Sequence, residues 1–284
     1  MCDQDHFDDD RKDYEALGLV TRRQFGVLLG AGVAMMLPPV LGAVAVTESD
    51  VMITTPDGTC DAYFVHPATG TAPGVLLWPD IFGRRPAMQQ MAKRLAESGY
   101  SVLVVNPFYR AKKAPTAANG AATPIADVMP LAQGLNETTH FTDAKAFVTW
   151  LDAQASVAKN RKMGTQGYCM GGPLAFRTAA AMPDRVGAVA SFHGGGLVTT
   201  QPNSPHLQAS KSKAQFLVAI AQNDDQRAPN DKTTMKDTFA AAKLTAEIAV
   251  YQGAHGWCPP DSTVYSEPEA EKAWGRLLAL YKNL

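Results

Sequence analysis

The sequence predicts one α/β domain with a mostly parallel β-sheet and helices on both faces. Short apolar runs rich in β-branched residues alternate along the chain with amphipathic stretches of helical period. The runs at residues 74–78, 100–106 and 215–221 are almost wholly apolar, as expected of strands that are buried on both faces. With 284 residues, 46% hydrophobic and 19% charged, the chain can form one large core.

The other elements are predicted from the apolar period of strands, the apolar period of helices and the positions of turn residues. Residues 85–98 place Met88, Met91 and Leu95 on one helical face, and Gly99 ends that helix. Residues 107–135 are rich in Ala, Pro and Gly and predict an irregular excursion near the rim of the site. We further expect a leading hairpin with strands at 51–55 and 62–65, strands at 162–168, 188–192 and 246–251, and helices at 142–155, 170–181, 232–243 and 269–281.

Residues 1–45 resemble a twin-arginine export signal rather than part of the fold. Arg22-Arg23 precedes an uncharged apolar run from residue 26 to 45, which ends in the small residues of a cleavage site. Pro38-Pro39 would interrupt a membrane-spanning helix, which favours a cleaved signal over the alternative, an uncleaved anchor. The expectation is a periplasmic domain at residues 46–284 with no membrane association after cleavage.

Composition and cysteine count restrict the partners and the cofactors. Lys and Arg number 26 against 27 Asp and Glu, so the net charge of −1 gives no reason to expect nucleic acid as a partner. No dinucleotide-binding glycine pattern, Walker loop or Cys/His metal spacing is present, so we expect no cofactor and no metal. Cys60, Cys169 and Cys258 remain after signal cleavage; one alternative is a Cys60–Cys258 disulfide with Cys169 free.

A candidate nucleophile lies between a predicted strand and a predicted helix. Residues 167–172 read Gly-Tyr-Cys-Met-Gly-Gly, the Gly-x-nucleophile-x-Gly pattern of a nucleophile elbow with Cys169 in place of serine. The glycines allow a tight turn that lifts the sulfur above the sheet. The turn also directs the N-terminus of the following helix at the sulfur, which favours a thiolate.

A base and an acid follow the nucleophile in the chain order of the α/β-hydrolase fold. His255 comes directly after one predicted strand, and Asp224 and Asp225 come after the strand before it. Either aspartate could orient the imidazole, with Asp224 favoured. His193 also follows a strand but precedes both acids, so we interpret it as a pocket-lining or structural residue.

Five short motifs occur along the chain from about residue 50 to its end. They are Pro-Asp-Gly at 56–58, Asp-Ile-Phe-Gly at 80–83, the elbow at 167–172, Ala-Gln-Asn-Asp at 221–224 and Gly-Ala-His-Gly at 253–256. Together they resemble the dienelactone hydrolase family, also called carboxymethylenebutenolidases, and the segments around the cysteine and at residues 80–83 are the most specific parts of the resemblance.

The resemblance implies a monomeric α/β-hydrolase that opens small enol lactones through a Cys-His-Asp triad. It makes Cys169 the nucleophile, Asp224 the acid and His255 the base. It also implies that the backbone N–H groups of Ile81 and Met170 form the oxyanion hole.

Two further roles are implied by the resemblance. Asp80 stands where the family commonly has a glutamate that contacts and activates the resting thiol, and aspartate is one methylene shorter. Arg110 lies near one of the arginines that hold the substrate carboxylate; residues 258–260, at the other such position, are Cys-Pro-Pro. The fold and triad therefore carry over better than the dienelactone substrate.

These patterns lead to the hypothesis of a hydrolase that cleaves a small ester or lactone through a thioester acyl-enzyme. A broad carboxylesterase or peptidase on the same fold is one alternative, and a non-catalytic exported binding protein is another. A thiol redox protein ranks last because no Cys-x-x-Cys pair is present.

Overall fold

The structure, a computed structural model, describes residues 37–284, and within them one eight-stranded sheet forms the centre of the fold. The strand order is β1-β2-β4-β3-β5-β6-β7-β8, with β2 antiparallel to both neighbours and the other pairs parallel. The predicted fold class is thereby confirmed. The strands are β1 (Val46–Thr55), β2 (Gly58–Pro67), β3 (Gly74–Trp78), β4 (Ser101–Val105), β5 (Met163–Tyr168), β6 (Val186–Phe192), β7 (Gln215–Ala221) and β8 (Ala246–Tyr251).

The central strands are buried on both faces, as their apolar sequences predict. Every residue of β3, β4 and β5 is buried. Alternate residues of β3 belong to two different apolar clusters, Leu76 and Trp78 to one, and Val75 and Leu77 to the other. Because successive side chains of a strand point to opposite faces, these clusters are the two layers of the core.

Five of the eight helices in residues 37–284 match the predicted ones within a few residues. The three that were not predicted are α2, α5 and α6; α2 lies within the segment predicted to be irregular, and Pro130 inside it hides its period. α5 and α6 have only 5 and 6 residues, too few to show a helical period. The helices are α1 (Pro86–Glu97), α2 (Ile125–Gln133), α3 (Glu137–Ala153), α4 (Gly171–Ala181), α5 (Pro205–Ala209), α6 (Gln222–Arg227), α7 (Asp231–Ala241) and α8 (Glu267–Tyr281).

The leading hairpin is longer than the apolar pattern indicates. β1 and β2 pair along their whole length, from Val46 opposite Pro67 to Thr55 opposite Gly58. The first half of β1 is largely exposed, so it carries no hydrophobic alternation that could predict it.

The predicted export signal lies for the most part outside the described residues, and so does its arginine pair. The first strand begins at Val46. Just before it, the Val44 N–H donates to the Glu97 carbonyl over 3.0 Å, and Leu37 packs against the same core layer as Val75. Among residues 37–284, no helix combines the length and apolarity that a membrane crossing requires.

None of the three cysteines in residues 37–284 forms a disulfide, and each is buried. Cys60 and Cys258 belong to opposite core layers, so the alternative of a disulfide between them is not realised. Burial raises the pKa of the Cys60 thiol to about 12, and it raises that of Cys258 as well. Both therefore stay protonated and inert at neutral pH.

Candidate active site

The turn between β5 and α4 holds Cys169 in a strained conformation. Cys169 has a φ of 50°, in the left-handed region that residues with a side chain rarely adopt. A Cβ added to Gly167 would overlap the Gly171 carbonyl, and one added to Gly171 would overlap the Trp78 carbonyl. The two glycines are therefore required by backbone contacts on both sides, as a nucleophile elbow demands.

Cys169 lies at the junction of three elements. Its N–H donates to the Phe192 carbonyl at the end of β6 over 3.1 Å, and its own carbonyl accepts from Gly172 over 3.0 Å. The residue is only 4% exposed and immediately precedes Met170, the N-cap of α4. A thiolate at this position is stabilised by the positive end of the helix dipole.

His255 and Asp224 form a close hydrogen-bonded pair. His255 Nδ1 lies 2.7 Å from Asp224 Oδ2, and the His255 N–H donates to the side-chain oxygen of Asn223 over 2.8 Å. Both carboxylate oxygens of Asp225 instead accept from Lys232, over 2.8 and 2.7 Å. Asp224 is therefore the aspartate that binds the imidazole, and Asp225 forms a separate ion pair with Lys232.

His193 connects the elbow to this pair. It follows Phe192, the residue bonded to the Cys169 N–H, and its ring centroid lies 5.2 Å from that of His255 and 5.7 Å from that of Trp257. Burial, together with the nearby His255, holds the pKa of His193 well below its usual range, so the ring is neutral. This position fits a pocket-lining residue, as the chain order indicates.

The loop after β3 packs against the elbow. Ile81 and Phe82 share a small apolar cluster with Met170, on the side of the elbow that α2 covers through Val128. The N–H groups of Ile81 and Met170 donate to no acceptor among residues 37–284. Two such donors beside the candidate nucleophile are what an oxyanion hole requires.

Asp80, the residue predicted to activate the thiol, is paired with an arginine, and its action on the thiol stays a prediction. Its carboxylate is bound by Arg85 through two hydrogen bonds, Nη1 to Oδ1 at 2.6 Å and Nη2 to Oδ2 at 2.9 Å. Oδ1 also accepts from the Phe82 N–H over 3.0 Å. Asp80 therefore forms a buried ion pair with Arg85, a partner close enough in sequence for the short aspartate side chain to reach.

Arg110, predicted to bind a substrate carboxylate, is likewise paired with carboxylates of the protein, and its predicted role stays untested. Nη1 and Nη2 donate to the two oxygens of Asp143 over 2.9 and 2.6 Å. Nε and Nη2 donate to Asp57 over 3.0 and 2.5 Å. A guanidinium held by two carboxylates has neither the charge nor the paired donors left for a substrate carboxylate.

Sequence reasoning missed three residues that shape the site, namely Asn223, Arg85 and Asp261. Asn223 stands beside the acid in sequence, so its bond to the His255 backbone could have been suspected. Arg85 and Asp261 pair across 176 positions, and no sequence pattern predicts such a contact. In residues 37–284 no three His, Cys, Asp or Glu side chains form a group that could hold a metal ion.

The sheet order, the strained elbow after β5 and the acid–histidine pair at the ends of β7 and β8 define a fold of the α/β-hydrolase type. The model of the dienelactone hydrolase family matches residues 60–284, and the chain belongs to that family. It is thus a hydrolase of the ester or lactone type.

Individual relatives agree with this membership. The chain is 28% identical over 251 residues to a candidate carboxymethylenebutenolidase of Salmonella typhi, covering 80% of this chain and 89% of that protein. It is 26% identical over 200 residues to a carboxymethylenebutenolidase of Rhodococcus opacus, covering 69% and 75%. The crystal structure of a candidate dienelactone hydrolase from Klebsiella pneumoniae has a similar fold, with a TM-score of 0.73 at 24% identity, covering 84% of this chain and all of that one.

Proposed function

We propose that the protein hydrolyses small esters or lactones with Cys169 as nucleophile, His255 as general base and Asp224 as the acid that orients it. The observation that carries the proposal is the 2.7 Å bond from His255 Nδ1 to Asp224, on the same rim of the sheet as the strained Cys169 turn. With Nδ1 bound to the carboxylate, Nε2 is the nitrogen that exchanges protons with the thiol.

The reaction then proceeds in two steps. His255 accepts the thiol proton, the sulfur adds to the carbonyl carbon, and collapse of the tetrahedral adduct expels the alcohol oxygen, which takes that proton. A thioester remains on Cys169. Water, deprotonated by His255, adds to the thioester and releases the acid, and the proton returns to the sulfur.

The oxyanion of both tetrahedral adducts would accept from the N–H groups of Ile81 and Met170. Their packing in one apolar cluster supports this assignment, since a dry and rigid setting strengthens such bonds. A thiolate is also a good leaving group, which suits activated esters and lactones better than amides.

The substrate is proposed as a small ester or lactone, with a dienelactone as one member of the class. Because Asp57 and Asp143 hold Arg110, no carboxylate on the substrate is required by the proposal. From the sequence alone we further propose twin-arginine export, cleavage near residue 45, and action as a monomer in the periplasm.

The test is a hydrolysis screen of p-nitrophenyl esters, simple lactones and dienelactone with the full chain. Cys169→Ala should lose at least about 10³-fold in kcat/KM. Cys60→Ala is the matched control, because it removes a buried thiol on β2 that donates to the backbone carbonyls of Asp61 and Asn106 and has no role in the proposed chemistry. Equal turnover by wild type and Cys169→Ala would overturn the proposal.

A further inference from the structure

We propose that Arg85 is a positioning residue for the oxyanion hole. It fixes the loop that carries the Ile81 N–H relative to the segment that follows His255. The inference rests on the proposed function, because it concerns where the Ile81 N–H stands when the Cys169 adduct forms. Arg85 belongs to neither the triad nor the oxyanion hole. It precedes the first residue of α1, and its side chain is 1% exposed.

The guanidinium of Arg85 uses all five of its N–H donors. Two go to Asp80, at 2.6 and 2.9 Å, and two to Asp261, with Nε to Oδ2 at 2.6 Å and Nη2 to Oδ1 at 2.9 Å. The fifth goes to the Gly83 carbonyl at 3.2 Å. Such a planar double fork fixes both carboxylates in angle as well as in distance.

The first fork fixes the loop that carries the candidate oxyanion donor. Asp80 Oδ1 accepts from the Phe82 N–H at 3.0 Å while the Asp80 carbonyl accepts from the Gly83 N–H at 2.9 Å. The peptide between Asp80 and Ile81 is therefore held on both sides. Thr116 secures the loop from outside by donating to the Phe82 carbonyl over 2.8 Å.

The second fork joins this loop to the segment after the candidate base. Asp261 also accepts from the Gly120 N–H at 2.8 Å. The next residue, Ser262, packs against Gly256, since a Cβ on that glycine would lie 3.3 Å from the serine oxygen. Gly256 directly follows His255, so the bonds of Arg85 connect the loop of the oxyanion donor with the segment that follows the base.

The charges of this cluster explain why lysine cannot replace Arg85. One guanidinium faces two carboxylates, and burial raises the pKa of Asp80 even though Arg85 opposes that shift. A lysine ammonium carries three donors on one atom, so it cannot form a two-bond fork with both carboxylates, and at least one of them loses its fixed pairing. The freed loop then no longer places the Ile81 N–H within hydrogen-bond reach of the oxyanion.

Two reactions of the same sulfur separate this role from a general structural one. Ester hydrolysis needs both the thiolate and the oxyanion hole, whereas alkylation by iodoacetamide needs the thiolate alone. Arg85→Lys in the full chain should lower kcat/KM for p-nitrophenyl acetate about 10- to 100-fold. It should leave the alkylation rate of Cys169 within about 2-fold of wild type at each pH.

Arg94→Lys is the matched control. Arg94 lies on α1, its side chain is 9% exposed, and it makes a two-bond pair with Glu271 at 2.5 and 2.7 Å and packs over the Trp274 ring. Hydrolysis by this variant should stay within about 3-fold of wild type. If Arg85→Lys fails to fold, Asp261→Asn removes one fork only and should cost about 3- to 10-fold in hydrolysis.

Each outcome decides the inference. Equal hydrolysis by wild type and the Arg85 and Asp261 variants would overturn the positioning role and leave the proposed function intact. Parallel losses of hydrolysis and alkylation would also overturn it, because the defect would then lie in the thiolate. A wild type that alkylates at Cys169 but hydrolyses no ester would overturn both proposals.

Discussion

Asp224 Oδ2 accepts a hydrogen bond from His255 Nδ1 over 2.7 Å, whereas the neighbouring Asp225 faces Lys232 at 2.7 Å. Consecutive residues in the first turn of a short helix point in different directions, so only one of the two can reach the imidazole. This geometry assigns different consequences to two otherwise similar substitutions.

Asp224→Asn should lower kcat by about 10²- to 10⁴-fold while leaving the fold intact. The amide cannot stabilise the imidazolium, and its NH₂ group favours the wrong tautomer of His255. Asp225→Asn, the matched control, loses only a partly exposed ion pair and should stay within about 2-fold. Steady-state kinetics on one ester measure both, and equal losses would contradict the assignment.

Gly167→Ala should destabilise the protein by about 3 kcal/mol or more, because the new Cβ would overlap the Gly171 carbonyl and backbone cannot easily yield. Gly275→Ala is the control: it lies inside α8 with open space around it, and alanine there should stabilise by up to about 1 kcal/mol. Urea denaturation compares the two. An unchanged midpoint for Gly167→Ala would show that the elbow is not as tight as described.

Arg110→Gln should reduce stability rather than substrate affinity. It leaves Asp143 buried with a single remaining partner, Tyr109, and should cost about 2 to 3 kcal/mol of unfolding free energy. The KM ratio between a carboxylate-bearing lactone and a neutral ester should not change. A selective rise in KM for the anionic substrate would restore the substrate-binding role expected from the sequence.

The free energy of unfolding should fall as the pH drops from about 6.5 to 5. Burial, with Arg177 and Arg110 nearby, lowers the pKa of His140 from 6.5 to about 3, so the folded state stays unprotonated while the unfolded chain takes up a proton. Each such histidine contributes a loss of up to about 1.4 kcal/mol per pH unit in this window. His140→Gln should reduce the slope of the urea midpoint against pH by the contribution of one histidine. A slope identical to that of wild type would contradict the lowered pKa.

Much of the fold could be predicted from the sequence because its signals are local. The apolar runs of β3 and β7 match their predicted bounds, and the elbow was read from the spacing of two glycines. The exposed half of β1 and the helix containing Pro130 were not predicted, since neither carries the usual hydrophobic period.

Partnerships between distant charged side chains could not be predicted. The sequence offered Asp80 and Arg110 as site residues, but Arg85 binds the first while Asp57 and Asp143 bind the second. Which carboxylate a guanidinium meets depends on how loops pack in three dimensions. Choosing Asp224 over Asp225 also needed the coordinates, because the residues are adjacent and chemically identical.

The most direct test of the proposed chemistry is to trap the acyl-enzyme. The full chain is mixed with p-nitrophenyl acetate, quenched in acid during the first turnovers, digested and analysed by mass spectrometry. The account predicts one acetyl group on the peptide that contains Cys169, removable by hydroxylamine, and none there in Cys169→Ala. Ester hydrolysis that proceeds with that peptide never acylated, or with the acetyl group on another residue, would contradict it.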